Sequence, residues 1–182
     1  MRVVGGRLKS RALVAPRGDE TRPTSDRVRE AWFAVLGDVS GARVLDLYAG
    51  TGALAIEALS RGAAAAVCVE ASREAARAIE KNRVALDLGA SLSVVQRRVE
   101  RAAGVVHGPF GLILADPPYS ELASGALVAA LSTLLSIEGL VETGALLTIE
   151  RAARDAAPEI QGFALEDDRR WGDTAVSFHR AP

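Results

Sequence analysis

Cysteine is almost absent from this chain: Cys68 is the only one among 182 residues, so no internal disulfide can form. Histidine is nearly as scarce. His107 and His179 stand far apart and offer no cluster with metal-ligand spacing, which argues against a metal centre. No apolar run approaches the ~20 residues needed to cross a bilayer. The opening Met1-Arg2-Val3-Val4-Gly5-Gly6 turns to glycine before a signal-peptide core could develop. A cytoplasmic address without membrane association is therefore expected. Cys68 lies inside the apolar run Ala65 to Val69, where a small packing residue is expected rather than a nucleophile.

What is present is ordinary for a globular domain: 49% of the residues are apolar and 25% charged, enough to bury one core and too little charge for disorder. The length accommodates a single α/β unit with a small appendage. We expect a basic arm over residues 1–20 and one globular unit over residues 21–182. The net charge of −1 conceals an asymmetry. Residues 1–30 hold eight Arg or Lys against four Asp or Glu, a net +4, so the remainder sums to −5. A basic patch at the front end can engage phosphates even on a slightly acidic protein.

Along the chain, Val3-Val4, Gly5-Gly6, Leu8, Leu13 and Val14 suggest a short β-hairpin. Arg2, Arg7, Lys9, Arg11 and Arg17 would project from it. Thr24 or Ser25 reads as an N-cap with Asp26 in the first helical turn, and Val28, Ala31, Trp32, Val35 and Leu36 recur on one helical face. Trp32 is thus expected in the core. Val44 to Gly62 reads as strand, glycine turn and helix. A second strand, Ala65 to Glu70, leads to a helix capped by Ser72 and running to about Leu88. Ser91 to Gln96 forms a third strand, and Phe110 to Ala115 a continuous apolar fourth, the pattern of parallel strands buried on both faces. A helix over Leu122 to Leu135 and a fifth strand over Ala145 to Glu150 follow. Phe163 to Leu165 and Ala175 to His179 would close the fold as an antiparallel pair around Trp171-Gly172-Asp173. The sum is an α/β doubly wound, seven-stranded, mostly parallel sheet with an N-terminal hairpin extension.

The chemistry gathers at two strand ends. Gly50-Thr51-Gly52-Ala53-Leu54-Ala55 fits a G-x-G-x-x-G/A fingerprint, and Glu70 stands where a ribose-binding acid belongs. Asp46 lies inside the strand before the loop, where it would repel a pyrophosphate and welcome an ammonium group. That points away from a dinucleotide and toward a cationic adenosine cofactor. Asp116-Pro117-Pro118-Tyr119 ends the fourth strand and should face the same crevice. The Asp116 carboxylate and the Pro117 carbonyl can each accept an N–H bond from an exocyclic amine, restoring a lone pair otherwise delocalised into the ring. The prolines stiffen that turn, and Tyr119 can stack on a base flipped out of its helix.

Asp46 to Gly52 with Glu70 resembles the S-adenosylmethionine site of class I methyltransferases, and D-P-P-Y resembles the catalytic motif of those acting on exocyclic amines. Together with Arg2-x-x-Gly5-Gly6, the block Arg22 to Glu30 and Glu57 to Ala63, these motifs resemble the bacterial 16S rRNA guanine-N2 methyltransferase family, the small-subunit methyltransferase D type. The resemblance spans nearly the whole chain. It implies S-adenosyl-L-methionine as cofactor and a monomer acting on guanine N2 of 16S rRNA, at guanine 966 in customary rRNA numbering, free or within a 30S particle. It implies Asp116, Pro117 and Tyr119 as catalytic residues. Asp46, Tyr48, Ala49, Gly50, Gly52, Glu70, Val99 and Thr24 would bind the cofactor. Arg22, Pro118, Tyr119, Arg7, Lys9 and Arg11 would bind RNA. Arg27 and Arg29 are equally explained by helix salt bridges to Asp26 or Glu30. The acid that many related enzymes carry after the third strand is missing from Gln96-Arg97-Arg98-Val99 unless Glu100 serves, so backbone groups near Arg98 and Val99 would read the adenine. D-P-P-Y does not separate guanine from adenine. A DNA adenine-N6 methyltransferase, a protein glutamine methyltransferase and a catalytically idle RNA-binding assembly factor are the competing readings.

Overall fold

Apolar strands that are buried on both faces can only be central, and the computed structural model, which describes residues 1–15 and 25–182, places them so. β1 (Arg43–Leu47), β2 (Ala65–Glu70), β3 (Leu92–Gln96), β4 (Phe110–Ala115), β5 (Val141–Ala152), β6 (Ala164–Trp171) and β7 (Thr174–Arg180) form one sheet in the order β3-β2-β1-β4-β5-β7-β6. β1 pairs in parallel with β2 and β4, and the parallel ladder extends to β3 and β5. β7 inserts antiparallel between β5 and β6. The expected doubly wound, mostly parallel seven-stranded sheet is the one observed. The order reverses between β1 and β4, which opens a crevice at their C-terminal ends.

The pleat sorts the core into two clusters. On one face Val44, Cys68, Leu112 and Leu114 pack under α1 (Asp26–Leu36), α2 (Ala53–Ser60) and α3 (Arg73–Ala85), through Trp32, Leu54, Ile56 and Ile79 among others. On the other, Leu45, Leu47, Ile113, Ala115, Leu147 and Ile149 pack under α5 (Ala126–Leu135) and the 3-10 turn Val99–Arg101. Ser25 is the N-cap of α1 and its hydroxyl accepts from Val28 N–H at 3.2 Å. Ser72 caps α3 in the same way. Trp32 is fully buried and donates from Nε1 to Thr148 Oγ1 at 3.2 Å, tying α1 to β5. Cys68 is buried as a packing residue, and burial with the nearby Asp46 carboxylate pushes its thiol well above the usual range.

Three elements depart from the sequence pattern. The helix expected over Leu122 to Leu135 is two, α4 (Tyr119–Ala123) and α5, because Gly125 adopts φ +76° between them. β5 begins earlier and ends later than expected, and β6 extends to Trp171, so that Trp171 and Thr174 close a two-residue turn on Gly172 (φ +65°). The N-terminal hairpin contracts to a single antiparallel bridge, Arg2 to Ala12, around a 3-10 turn at Gly6–Leu8. Val3 N–H donates to the Arg11 carbonyl and Leu13 N–H to the Met1 carbonyl on either side of that bridge, while the side chains of Val3, Leu8 and Leu13 join the first core cluster. The segment is fastened to α2: Val4 N–H donates to Glu57 Oε2 at 2.8 Å, Leu8 N–H to Ser60 Oγ at 2.9 Å, and Ser60 Oγ to the Gly5 carbonyl at 2.6 Å. At Gly6 (φ +70°) a Cβ would stand 1.9 Å from the Ser60 carbonyl oxygen, so only glycine permits that approach.

Candidate active site

The crevice at the strand ends is a cleft of about 850 Å³. Its first wall is the turn from β1 into α2. Tyr48, Gly50 and Gly52 all adopt positive φ, at 59°, 54° and 74°, and the Gly52 N–H closes on the Ala49 carbonyl at 2.7 Å. The two glycines answer different demands. A Cβ at Gly52 would press on Ile79 Cγ2 at 3.2 Å, whereas one at Gly50 would meet nothing within 4 Å and would occupy the cleft that Gly50 lines. Ala49 and Tyr48 line the cleft beside it.

Glu70, at the end of β2, fastens this turn. Its Oε2 accepts from Gly50 N–H and its Oε1 from Ser72 N–H, both at 2.7 Å, while the residue lines the cleft. Asp46 departs from the expected ligand contact. It is fully buried and outside the cleft lining, because its Oδ2 turns back to accept from Ala55 N–H at 3.0 Å in the first turn of α2. Its Oδ1 is buried with no hydrogen-bond partner. Burial pushes the carboxyl up to about 8 against the pull of the Ala55 bond, and the Asp116 and Glu70 charges push the same way. At neutral pH Asp46 therefore keeps a proton. Asp46 is the brace behind the turn.

The second wall is the end of β4. Asp116 N–H reaches the Leu47 carbonyl at 3.4 Å, where the β1–β4 ladder ends. Pro117 is buried, Pro118 is exposed and caps α4, and Tyr119 opens that helix with 43% of its surface exposed. All four line the cleft. The Pro118 carbonyl accepts from Glu121 N–H at 2.9 Å. Tyr48 and Glu121 join the two walls: the buried Tyr48 phenol is held neutral, above its ordinary range, by burial and by the Glu121 carboxylate beside it. Val99 is buried and lines the cleft at the third strand's end, next to the exposed Arg98–Glu100 pair at 3.6 Å.

The structure thus brings Tyr48, Ala49, Gly50, Glu70, Val99 and Asp116 to Tyr119 to one cleft, with Gly52 shaping its floor. Arg7, Lys9 and Arg11 stay outside it: all three are exposed, and Arg11 Nη2 donates to the Ala85 carbonyl at 3.1 Å. From the arm it is Met1 and Ala15 that reach the cleft. Arg22 and Thr24 lie outside the described residues. Arg29 does form the expected helix salt bridge, to Asp26 Oδ1 at 2.8 Å, yet it is buried against the cleft, where its Nη2 also donates to the Arg2 carbonyl. Glu150, Arg154 and Asp173 line the cleft as well and were not anticipated. Glu150 had the same signature as Glu70 and Asp116, an acid after a buried apolar run. Among the described residues, no group of three or more His, Cys, Asp or Glu could hold a metal ion, and no helix is long and apolar enough to cross a membrane.

A glycine turn at the head of a parallel strand facing D-P-P-Y is the arrangement the sequence motifs require, and relatives can now be set beside it. The profile of the family described as Conserved hypothetical protein 95 matches residues 1–180. The chain belongs to this family. Among its relatives, Ribosomal RNA small subunit methyltransferase D of Escherichia coli K12 is 33% identical over 99% of this chain and 89% of its own. A Bacillus subtilis protein named "Putative rRNA methyltransferase YlbH" is 34% identical over 99% and 98%. The solved structure titled "Putative methyltransferase yhhF from Escherichia coli" superposes with a TM-score of 0.85 and 31% identity, covering 100% of this chain and 97% of that one. The family member described here therefore has the class I methyltransferase fold.

The cleft of this family member fits the cofactor that the fold implies. Gly50 leaves open space where a side chain would intrude, and the Glu70 carboxylate lines the cleft beside it.

Proposed function

We propose that this protein transfers a methyl group from S-adenosylmethionine to the exocyclic N2 of a guanine in small-subunit (16S) rRNA, guanine 966 by resemblance, as a cytoplasmic monomer. The observation that carries this reading is the D-P-P-Y segment sharing one cleft with the glycine turn. Full-length similarity to a protein named small subunit methyltransferase D supports the choice of RNA. S-adenosylmethionine, when bound, supplies a methyl group activated on a sulfonium.

The rest is the work of the chain. Gly50 and Gly52 shape the turn and Glu70 takes the ribose hydroxyls, since a carboxylate has about four acceptor sites and two backbone N–H groups hold it in place. Tyr48, Ala49 and Val99 border the adenosine, and by resemblance Thr24 belongs to the same set. Asp116 and the Pro117 carbonyl accept the two N–H bonds of the target amine. The Pro118 carbonyl is engaged by α4, so we assign the second acceptor to Pro117. Held this way, the nitrogen lone pair is turned out of the ring plane. The proton becomes acidic only as the new N–C bond forms, so an acceptor at Asp116 is sufficient to receive it. Tyr119 and Pro118 pack against the base, and stacking is worth about 1–3 kcal/mol. By resemblance Arg22 contacts the RNA, with the exposed Arg7, Lys9 and Arg11 as phosphate contacts.

The test is methyl transfer from labelled cofactor to 30S particles, free 16S rRNA and DNA, followed by nucleoside analysis. N2-methylguanosine in the rRNA is expected, and product in DNA alone overturns the reading. With the active substrate, Asp116→Ala should lower kcat by at least about 10²–10³ while cofactor affinity stays within a few-fold.

A further inference from the structure

We propose that Glu150 makes the cleft specific for guanine, by accepting the ring N1–H beside the amine that Asp116 holds. The inference rests on the guanine-N2 reading above and supplies what D-P-P-Y lacks, since that motif treats guanine and adenine amines alike.

The sheet register sets the geometry. Ala115 pairs with Ile149 at the end of the parallel β4–β5 ladder, and Asp116 and Glu150 are the residues that follow on the two chains. Register neighbours project to the same face of a pleated sheet, and both residues line the cleft. Glu150 is only 5% exposed, so the surface it keeps is the surface it shows to the cleft. Its backbone is firmly held: β5 is flanked by β4 and β7, with Glu150 opposite Val176, and Thr148 on the same face is fastened by Trp32 at 3.2 Å. Glu150 is a rigidly mounted carboxylate one strand away from the amine acceptor.

Two carboxylates side by side match one purine edge and oppose the other. Guanine presents N2–H and N1–H on adjacent atoms, donors to both acids. Adenine presents an amine beside the N1 lone pair, so a carboxylate that welcomes N1–H of guanine meets an acceptor in adenine. Sites that hydrogen-bond a substrate group reject analogues lacking it far more strongly than sites that discriminate by shape. Asp116 positions the nucleophile and Glu150 reads its neighbour.

The experiment uses 30S particles reconstituted from ligated 16S rRNA carrying either guanine or 2-aminopurine at the nucleotide the wild-type enzyme methylates. 2-Aminopurine keeps the amine and replaces N1–H by a lone pair. The wild type should prefer guanine by at least tenfold in kcat/KM. Glu150→Gln, whose amide can donate to that lone pair, should reduce the preference at least tenfold with cofactor KM unchanged, and Glu150→Asp should retain it. Equal loss on both bases in E150Q would mean a structural role and overturn the proposal. Because 2-aminopurine also lacks O6, the assignment to N1–H rests on the change in preference in E150Q; if E150Q does not fold, Glu150→Ala is read in the same way, and equal turnover of the two bases by the wild type overturns the proposal. Failure of the parent reading looks different: the wild type then forms no N2-methylguanosine at all.

Discussion

The two walls of the cleft are built from the same kind of residue, a carboxylate at the end of a parallel strand, and use it in opposite ways. On the β1–β2 side the acids serve the chain's own backbone. Asp46 holds Ala55 N–H and Glu70 holds Gly50 and Ser72 N–H, so the glycine turn keeps its shape before any ligand arrives. On the β4–β5 side Asp116 and Glu150 end neighbouring strands and line the cleft, and the stiffness comes from prolines and strand pairing. One wall is a frame and the other is a presentation surface.

The largest test of that contrast is a crossed pair. Glu70→Ala removes two charge-assisted backbone bonds, each worth about 1.5–3 kcal/mol, and should weaken cofactor binding by about ten- to a hundredfold in calorimetry while lowering Tm. Asp116→Ala, the variant introduced above, should do the reverse, abolishing turnover and leaving binding and Tm nearly intact. If Asp116→Ala costs as much cofactor affinity as Glu70→Ala, the division into frame and presentation surface is wrong.

A smaller effect separates the two glycines. Gly52→Ala forces a side chain into positive φ and against Ile79 Cγ2, which should cost about 1–2 kcal/mol of stability, read from urea unfolding without cofactor. Gly50→Ala shares the backbone strain but has no neighbour to strike, so its additional loss should be in cofactor affinity. Identical profiles for the two variants would remove the distinction.

A separate test of the β1–β2 wall is the pH dependence that Asp46 imposes. Its folded-state value of about 8 lies above the ordinary 3.8, so between those values the folded chain holds a proton that the unfolded chain has released. Stability should therefore fall as pH rises from about 4 toward about 8 and level off above. Asp46→Asn removes that titration while its amide oxygen can still accept from Ala55 N–H. Without cofactor, the wild type should lose stability relative to D46N between pH 5 and pH 8. Parallel curves would show that Asp46 is not the buried acid inferred here.

Much of the fold was legible because periodicity and turn residues act locally. The apolar run into Asp116, the glycine turn after Leu47 and the Ser25 and Ser72 caps each specify an element within a few residues. The break at Gly125 was hidden because Ala126 to Leu135 continues the apolar pattern of Leu122. The hairpin is shorter than the pattern suggested, a single antiparallel bridge from Arg2 to Ala12. The side chains of Val3, Leu8 and Leu13 pack into the first core cluster, and that surface exists only once α2 is in place.

By itself the sequence determined the order of strands and helices, the glycine turn and the D-P-P-Y segment, since each is written in neighbouring residues. The tertiary structure alone decided that Asp46 faces inward to Ala55, that Glu70 clasps Gly50 across twenty residues of chain, and that Glu150 and Asp116 line one cleft. The physical reason is that a carboxylate's role depends on its partners and its distance from water, and the register of a parallel sheet sets both between residues far apart in the chain.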